Sequence, residues 1–198
     1  WALAISASNV YSGNSVCFVE GQPEAKLWSR HKRTSERAEI SADHLMASSA
    51  IPIFFPTVDI AGRHFTDGCI GNIAPLSPAV HLGAEKIIAI GVRNYDMVSE
   101  GTLGPRNEPT MAHISGLLLN AVFMDAIEID IQRMLRINEV LSMSQKGAEN
   151  QQHWRPIEIL QISPSESIGS VAQQYAKNIP RVVRYLMKGL GDQSSIEE

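Results

Sequence analysis

The sequence predicts an α/β fold with a mainly parallel central sheet flanked by helices, and three observations support this prediction. β-prone and helix-like segments alternate along the chain, which is typical of α/β proteins. Residues 86–92 form an almost continuous apolar run, which indicates a strand buried on both faces of a parallel sheet. A helix-like segment precedes this run, with Ser77 as its N-cap, Pro78 at its first position and Gly83 as a left-handed C-cap. Helix, glycine and buried strand together make half of a βαβ unit.

The chain opens with a predicted hairpin. The short apolar runs 3–7 and 16–19 flank a Ser-Gly-Asn sequence at residues 12–14. Such residues favour a tight turn between β-prone runs.

A short helix and a second hairpin follow. Residues 41–50 predict a helix with Ser41 as its N-cap. The runs 58–60 and 63–66 are joined by Ala-Gly and predict another hairpin. The last strand ends at Asp67.

The segment 23–37 is polar and contains a basic cluster at residues 30–33. One interpretation is peripheral contact with anionic lipid headgroups, in which Arg37 would join, because each basic residue contributes about 1 kcal/mol near such a surface. A solvated cluster is the alternative. Trp28, beside the cluster, suits either an interface or the core.

The second half of the chain is expected to be a largely helical extension over residues 110–198. Two stripes of side chains, one polar and one containing Ile127 and Ile131, predict a long helix over residues 111–138. Residues 156–162 predict a strand. Residues 171–190 predict a helix that Pro180 breaks or kinks.

Composition narrows the classes of function. The 198 residues carry a net charge of −4, which argues against nucleic acid as a partner because phosphate binding needs a basic surface. Two isolated cysteines favour a reducing compartment, so we expect a cytoplasmic protein. Neither a cofactor motif nor ligand spacing for a metal is present in the sequence. The chain begins within an apolar run at Trp1, so we expect a fragment of a longer protein.

The segment 47–92 contains the most informative motifs. It holds Ala-Ser-Ser-Ala-Ile-Pro-Ile-Phe-Phe-Pro at 47–56, Asp67-Gly68 at the end of a predicted strand, then Asn72 and Pro75 before a helix that ends in Gly-Ala. Reactive groups collect at strand ends in α/β folds. A positive φ at Gly68 would let the backbone turn sharply and direct the aspartate inward.

These motifs, in this order, resemble the second half of the patatin-like phospholipase domain. The resemblance is closest over residues 1–95, and it implies that residues 1–198 are the C-terminal part of a patatin-like domain that is incomplete at its N-terminal side. It also implies a Ser–Asp dyad in which Asp67 is the catalytic base, while Gly68, Asn72 and Pro75 shape the turn that holds it. No metal or organic cofactor is implied.

The nucleophile of that dyad is not found in this chain. Such a serine is expected in a Gly-x-Ser-x-Gly elbow between a strand and a helix, and the sequence contains none. Ser15 lies in a predicted hairpin without the final glycine, and Ser48 and Ser49 lack elbow glycines. The serine is therefore expected upstream of Trp1.

Two further residues need an interpretation. Chain order permits His81 to complete a Ser-His-Asp triad, but a packed helix residue is the favoured interpretation. Cys69 stands where the family has glycine or alanine. It is interpreted as a small buried residue rather than a reserve nucleophile or redox group.

The resemblance implies a lipid acyl hydrolase of the phospholipase A or esterase type, with a lipid or phospholipid as substrate. This chain alone is then expected to be inactive. The alternative is a non-catalytic lipid-binding or regulatory module that kept the fold. A fragment that starts within a sheet leaves an open strand edge, so we expect the missing N-terminal half or a second copy to cover it.

Overall fold

The structure is a computed structural model that describes residues 1–52, 54–72, 74–92, 114, 117–118, 126–144, 155–166, 168, 171 and 175. The chain divides into two compact units. The first contains Trp1–Ala89 and Asp125–Leu160, and the second contains Ile90–Met124 and Gln161–Glu198. All sites described below lie in the first unit.

The described part of the chain contains strands in two sheets, and it includes three α-helices whose bounds are given below. The strands are β1 Ala2–Asn9, β2 Ser15–Gly21, β3 Ser29–Arg30, β4 Arg33–Arg37, β5 Val58–Ile60, β6 Arg63–Asp67, β7 Lys86–Ile90 and β8 Glu158–Ile162. The helices are α1 Ala42–Ser49, α2 Ser77–His81 and α3 Ala126–Ser144.

The larger sheet has the strand order β3-β4-β2-β1-β6-β5. Among the described strands, four of its five pairings are antiparallel, and β2 with β4 is the parallel one. The prediction of a mainly parallel sheet is therefore wrong for this sheet. The most direct support for a parallel sheet was the apolar run at residues 86–92, and that run lies in the other sheet, which consists of β7 and β8.

Both predicted hairpins are confirmed. In the first, Asn9 Oδ1 accepts the backbone N–H groups of Tyr11 and Ser12 at 3.1 and 2.9 Å, and Gly13 adopts φ +66°. In the second, Ala61 and Gly62 have φ values of 52° and 76°, the left-handed pair that a tight two-residue hairpin requires.

The polar strand β4 was not predicted, because its alternating pattern lacks apolar residues. Its hydrogen-bonding partner across the parallel pairing is the buried strand β2, and the register places Arg33 beside Ser15 and Arg37 beside Val19. Lys32, with φ 59°, makes the turn from β3 into β4. The polar sequence of this segment is typical of a loop, but its pairing with β2 in the folded protein makes it a strand.

Helix α1 has the predicted N-cap, Ser41. The backbone N–H of Ser41 donates to Nδ1 of His44 at 3.1 Å, so a histidine provides the reciprocal contact of a capping box. The buried residues of α1 are His44 and Ala47. Ala47 joins the main apolar cluster, which also contains Ala7, Val16, Phe18 and Phe65.

Two predictions around α2 and β7 need correction. The N-cap of α2 is Leu76 rather than Ser77, and Leu76 N–H donates to Asp130 Oδ2 at 3.0 Å, a contact with α3 that no local pattern signals. Gly83 after the helix does have a positive φ, +91°. Strand β7 alternates between exposed and buried residues, so it is not buried on both faces.

The predicted apolar stripe on α3 is confirmed. Ile131 is buried and Ile127 and Met134 are half-buried in a second apolar cluster, which also contains Leu76, Ile87, Ala89 and Ile157. On the opposite stripe, Gln132 Nε2 donates to Glu128 Oε1 at 3.1 Å. Strand β8 matches the predicted strand at 156–162. Most of the helix predicted over residues 171–190 lies outside the described residues, as does most of the first half of the helix predicted over residues 111–138.

Candidate functional site

Asp67 is the last residue of β6 and is buried, with 7% of its surface exposed. It pairs with Ala7 on β1. Its backbone N–H donates to Ala50 O at 2.9 Å, and Thr66 Oγ1 donates to the same carbonyl at 2.6 Å. The end of α1 therefore fixes the end of β6, and the carboxylate does not project into open solvent.

The turn after Asp67 is a 3₁₀ helix, Gly68–Ile70. Asp67 Oδ1 accepts the backbone N–H of Cys69 at 2.8 Å, which orients the carboxylate. Gly68 does not adopt a positive φ, so the expectation that a positive φ explains the glycine at this position is wrong. A Cβ at position 68 would lie 2.4 Å from Ser6 O, and the glycine is needed because the turn packs directly against the backbone of β1.

Ser8 holds the turn from the other side, a role that its sequence motif did not predict. Its Oγ accepts the Gly71 N–H at 3.0 Å and donates to Gly68 O at 3.4 Å. Asn72 N–H donates to the same Gly68 carbonyl at 3.0 Å. One feature of the sequence could have indicated this role. Ser6 and Ser8 lie at alternate positions of an otherwise apolar strand, so their side chains share one face of the sheet and make it polar.

Cys69 is exposed, so its interpretation as a buried residue is wrong. Desolvation of the thiol, a hydrogen bond to the Asp67 carboxylate and the negative charge of that carboxylate together raise the pKa of Cys69 to about 12. At neutral pH the side chain is a thiol. Because the thiolate is the nucleophilic form, the structure gives no support to Cys69 as a reserve nucleophile.

The serines and the histidine considered as catalytic partners have structural positions. Ser15 is buried in β2 and pairs with Ser8, and Ser49 Oγ donates to Leu45 O within α1. The His81 ring stacks on Trp28, with centroids 4.7 Å apart and planes at 14°. Burial, followed by the charges of Arg30 and Arg33, lowers the pKa of His81.

The basic cluster does not lie entirely at the surface. Arg30 and Lys32 are exposed at the β3–β4 edge of the sheet. The Arg37 guanidinium instead donates to the carbonyls of Gln22, Pro23 and Ala25 and holds the preceding loop. Arg33 is half-buried, so only part of the cluster is available to a lipid surface.

A groove of about 550 Å³ lies between β1 and α2. From β1 it is lined by Ala2, Ala4 and Ser6, and Pro75, before α2, also lines it. Ser6 is the residue against which Gly68 packs, so one end of the groove borders the Asp67 turn.

The strand edge beside this groove is open over part of its length. Strand β1 pairs with β2 from Ala2 to Ser8, but with β6 only through Ala7, Ser8 and Asn9. Within the described residues, positions 2–6 therefore have no strand on the β6 side.

Two negative findings concern the described residues. No three histidine, cysteine or acidic side chains there are grouped as metal ligands. Of the helices there, none combines the length and the apolar character needed to cross a membrane.

Comparison with protein families gives one match. Residues 8–80 match the model of the patatin-like phospholipase family. No curated protein and no solved structure matches the chain. The matched region includes Asp67, Gly68, Asn72 and Pro75, so the segment that contains the candidate site is similar to this family.

Proposed function

We propose that this chain is the C-terminal part of a patatin-like lipid acyl hydrolase in which Asp67 is the base of a Ser–Asp dyad. The serine is supplied by residues outside this sequence. The observation that carries the proposal is the Asp67 carboxylate, which is shielded, oriented by a backbone N–H and placed at a strand end inside the region that matches the family.

The chemistry requires the carboxylate to accept and then release a proton in each of two steps. Asp67 takes the proton of the serine hydroxyl while the serine oxygen attacks the ester carbonyl. The ester C–O bond breaks, and the alcohol leaves with that proton. Asp67 then takes a proton from water as the water attacks the acyl-serine, and the proton returns to the serine when the fatty acid leaves. Because Cys69 N–H already donates to Oδ1, the other carboxylate oxygen, Oδ2, is the one proposed to accept the protons of serine and water.

The upstream segment that carries the serine is proposed to lie along the open edge of β1, beside residues 2–6. An unpaired strand edge is a template for a further strand, and the edge leads toward the Asp67 turn because Gly68 packs on Ser6. A strand added there reaches the carboxylate side of the turn. Phospholipid or another acyl lipid is the proposed substrate.

One observation favours a second candidate, a non-catalytic lipid-binding or regulatory module. The Asp67 carboxylate raises the pKa of the neighbouring Cys69 thiol, so this thiol lies close to the acceptor that the serine would use. In that case the upstream segment still covers the β1 edge but carries no nucleophile.

A fluorophosphonate probe separates the two candidates. In the longer protein that includes the upstream segment, labelling of a serine is expected, and Asp67→Asn should slow it by about 10²–10⁴-fold, the usual contribution of a general base. Asp59→Asn is the matched control, since Asp59 lies on neighbouring strand β5 with an exposed side chain. Full labelling of Asp67→Asn, or labelling of the 198-residue chain alone, would contradict the dyad.

A further inference from the structure

Arg33 has a buried polar atom with no partner. Its Nη1 is shielded from solvent and has no hydrogen-bond acceptor within the described residues, where it is the one such side-chain atom. Leaving a charged donor buried and unpaired is costly, more so than for a neutral group. Because buried polar groups are normally hydrogen-bonded, we expect a bound molecule with a hydrogen-bond acceptor beside this atom.

Arg33 lines a small cavity on the face of the sheet away from α1. The space inside is about 10 Å³, enough for one water-sized group. The cavity is rich in hydrogen-bonding side chains, and its lining residues include Ser15, Arg33, Thr34, Asn72 and Ser77.

The fold brings these groups together from distant parts of the sequence. The parallel pairing of β2 with β4 places Ser15 beside Arg33. Gly71 packs so closely on Ser15 that a Cβ at position 71 would lie 3.2 Å from Ser15 Cβ. This close approach brings Asn72 to the same cavity. The cavity therefore adjoins the segment that follows Asp67.

The surroundings of the cavity carry positive charge. Trp28 forms part of its wall and stacks on His81. The pairing of β3 with β4 places Arg30 beside Arg33, and the charges of both residues lower the pKa of His81. Within the described residues, neither arginine forms an ion pair.

We propose that this cavity binds a phosphate group. One oxygen enters the cavity and accepts a hydrogen bond from Arg33 Nη1, while the other oxygens lie at its mouth, where Arg30 supplies a second charge. Arginine suits phosphate because its planar donors match the geometry of the oxygens. The phosphate comes either from solution or from a lipid headgroup. The site is independent of the Asp67 chemistry.

Thermal unfolding of the 198-residue chain tests the proposal. Inorganic phosphate is titrated against chloride at constant ionic strength, because a ligand that binds the folded state raises the unfolding temperature. A saturable rise is expected for the wild type. In Arg33→Met the apparent affinity should fall about tenfold or more, as expected for loss of a charge-assisted hydrogen bond. Arg136→Met, which changes an exposed arginine on α3, should leave it unchanged.

Two results would overturn the proposal. One is the absence of a phosphate-specific rise in the wild type, which would mean that the cavity holds water alone. The other is an equal rise in the wild type and Arg33→Met. If Arg33→Met does not fold, Arg33→Lys keeps the stem and the charge, and phosphate affinity equal to that of the wild type would also contradict the proposal.

Lipid vesicles identify the source of the phosphate. Vesicles of phosphatidylcholine are compared with vesicles that also contain phosphatidic acid. Arg33-dependent binding to the second kind, with competition by inorganic phosphate, would identify a lipid headgroup. Phosphate binding without vesicle binding would identify phosphate from solution.

Discussion

The two faces of the six-stranded sheet differ in chemistry. The face toward α1 carries apolar residues that pack with Ala47, namely Ala7, Val16, Phe18 and Phe65. The other face carries small polar side chains, namely Ser6, Ser8, Ser15, Cys17 and Ser35, which the strand register brings side by side across β1, β2 and β4.

The two faces of the sheet therefore have different structural roles. On the apolar face, removal of hydrocarbon from water stabilises the fold. This effect does not depend on the orientation of the apolar groups. On the polar face, individual hydrogen bonds hold loops in place. Ser8 holds the turn after Asp67, and Ser35 Oγ accepts the Trp28 N–H at 2.7 Å. The first face secures the fold, and the second positions the candidate sites.

The largest effect is expected from Phe18→Ala on the apolar face. Phe18 is 1% exposed and packs edge-to-face on Phe65 at 5.3 Å and on His44 at 4.6 Å. Its truncation should lower the free energy of unfolding by about 3–5 kcal/mol, measured by urea denaturation.

Tyr11→Ala is the control for this prediction, because Tyr11 is 83% exposed, and a change within about 0.5 kcal/mol is expected. Phe18→Leu provides a milder variant if Phe18→Ala does not fold. Equal costs for Phe18→Ala and Tyr11→Ala would show that α1 does not pack on this face.

A smaller effect is expected from Ser8→Ala on the polar face. The change leaves the half-buried Gly71 N–H without its acceptor, and we expect a cost near the lower end of the range of about 1–3 kcal/mol for an unpaired buried donor. Ser49→Ala, which removes an exposed hydroxyl on α1, should cost less. Hydrogen exchange at residues 68–72 should accelerate in Ser8→Ala only. Unchanged exchange there would mean that Ser8 does not hold the turn.

The apolar face could be predicted from the sequence, whereas the polar face could not. Hairpins, α1 and the apolar stripe of α3 follow local rules of turn chemistry, capping and periodicity. Strand β4 has no apolar pattern, and its place in the sheet depends on pairing with β2. The same long-range pairing brings Arg33 to Ser15, so the cavity could not be foreseen.

The candidate base could be found from its motif, but its environment could not. Asp67-Gly68 at a strand end indicated the position. The packing of Gly68 on Ser6 and the two hydrogen bonds of Ser8 join residues that are about sixty positions apart in sequence. The apolar run at β7 misled the fold prediction because continuous hydrophobicity does not by itself distinguish parallel burial from one-sided burial.

The smallest effect is expected at the edge of the polar face, from the pH dependence that His81 contributes. Because the pKa of His81 is lowered in the folded state, the unfolded chain binds the proton more readily. The stabilising contribution of neutral His81 is thus present above its ordinary pKa of about 6.5 and is lost as the pH falls below that value. The urea midpoint of the wild type should therefore decrease between pH 7.5 and 5.5 more than that of His81→Gln.

Arg30→Met should reduce this difference, since one of the charges that oppose protonation is gone. Lys26→Met, which changes an exposed residue before β3, should preserve it. A wild-type midpoint that falls no more than that of His81→Gln would mean that the stack on Trp28 does not shield the ring.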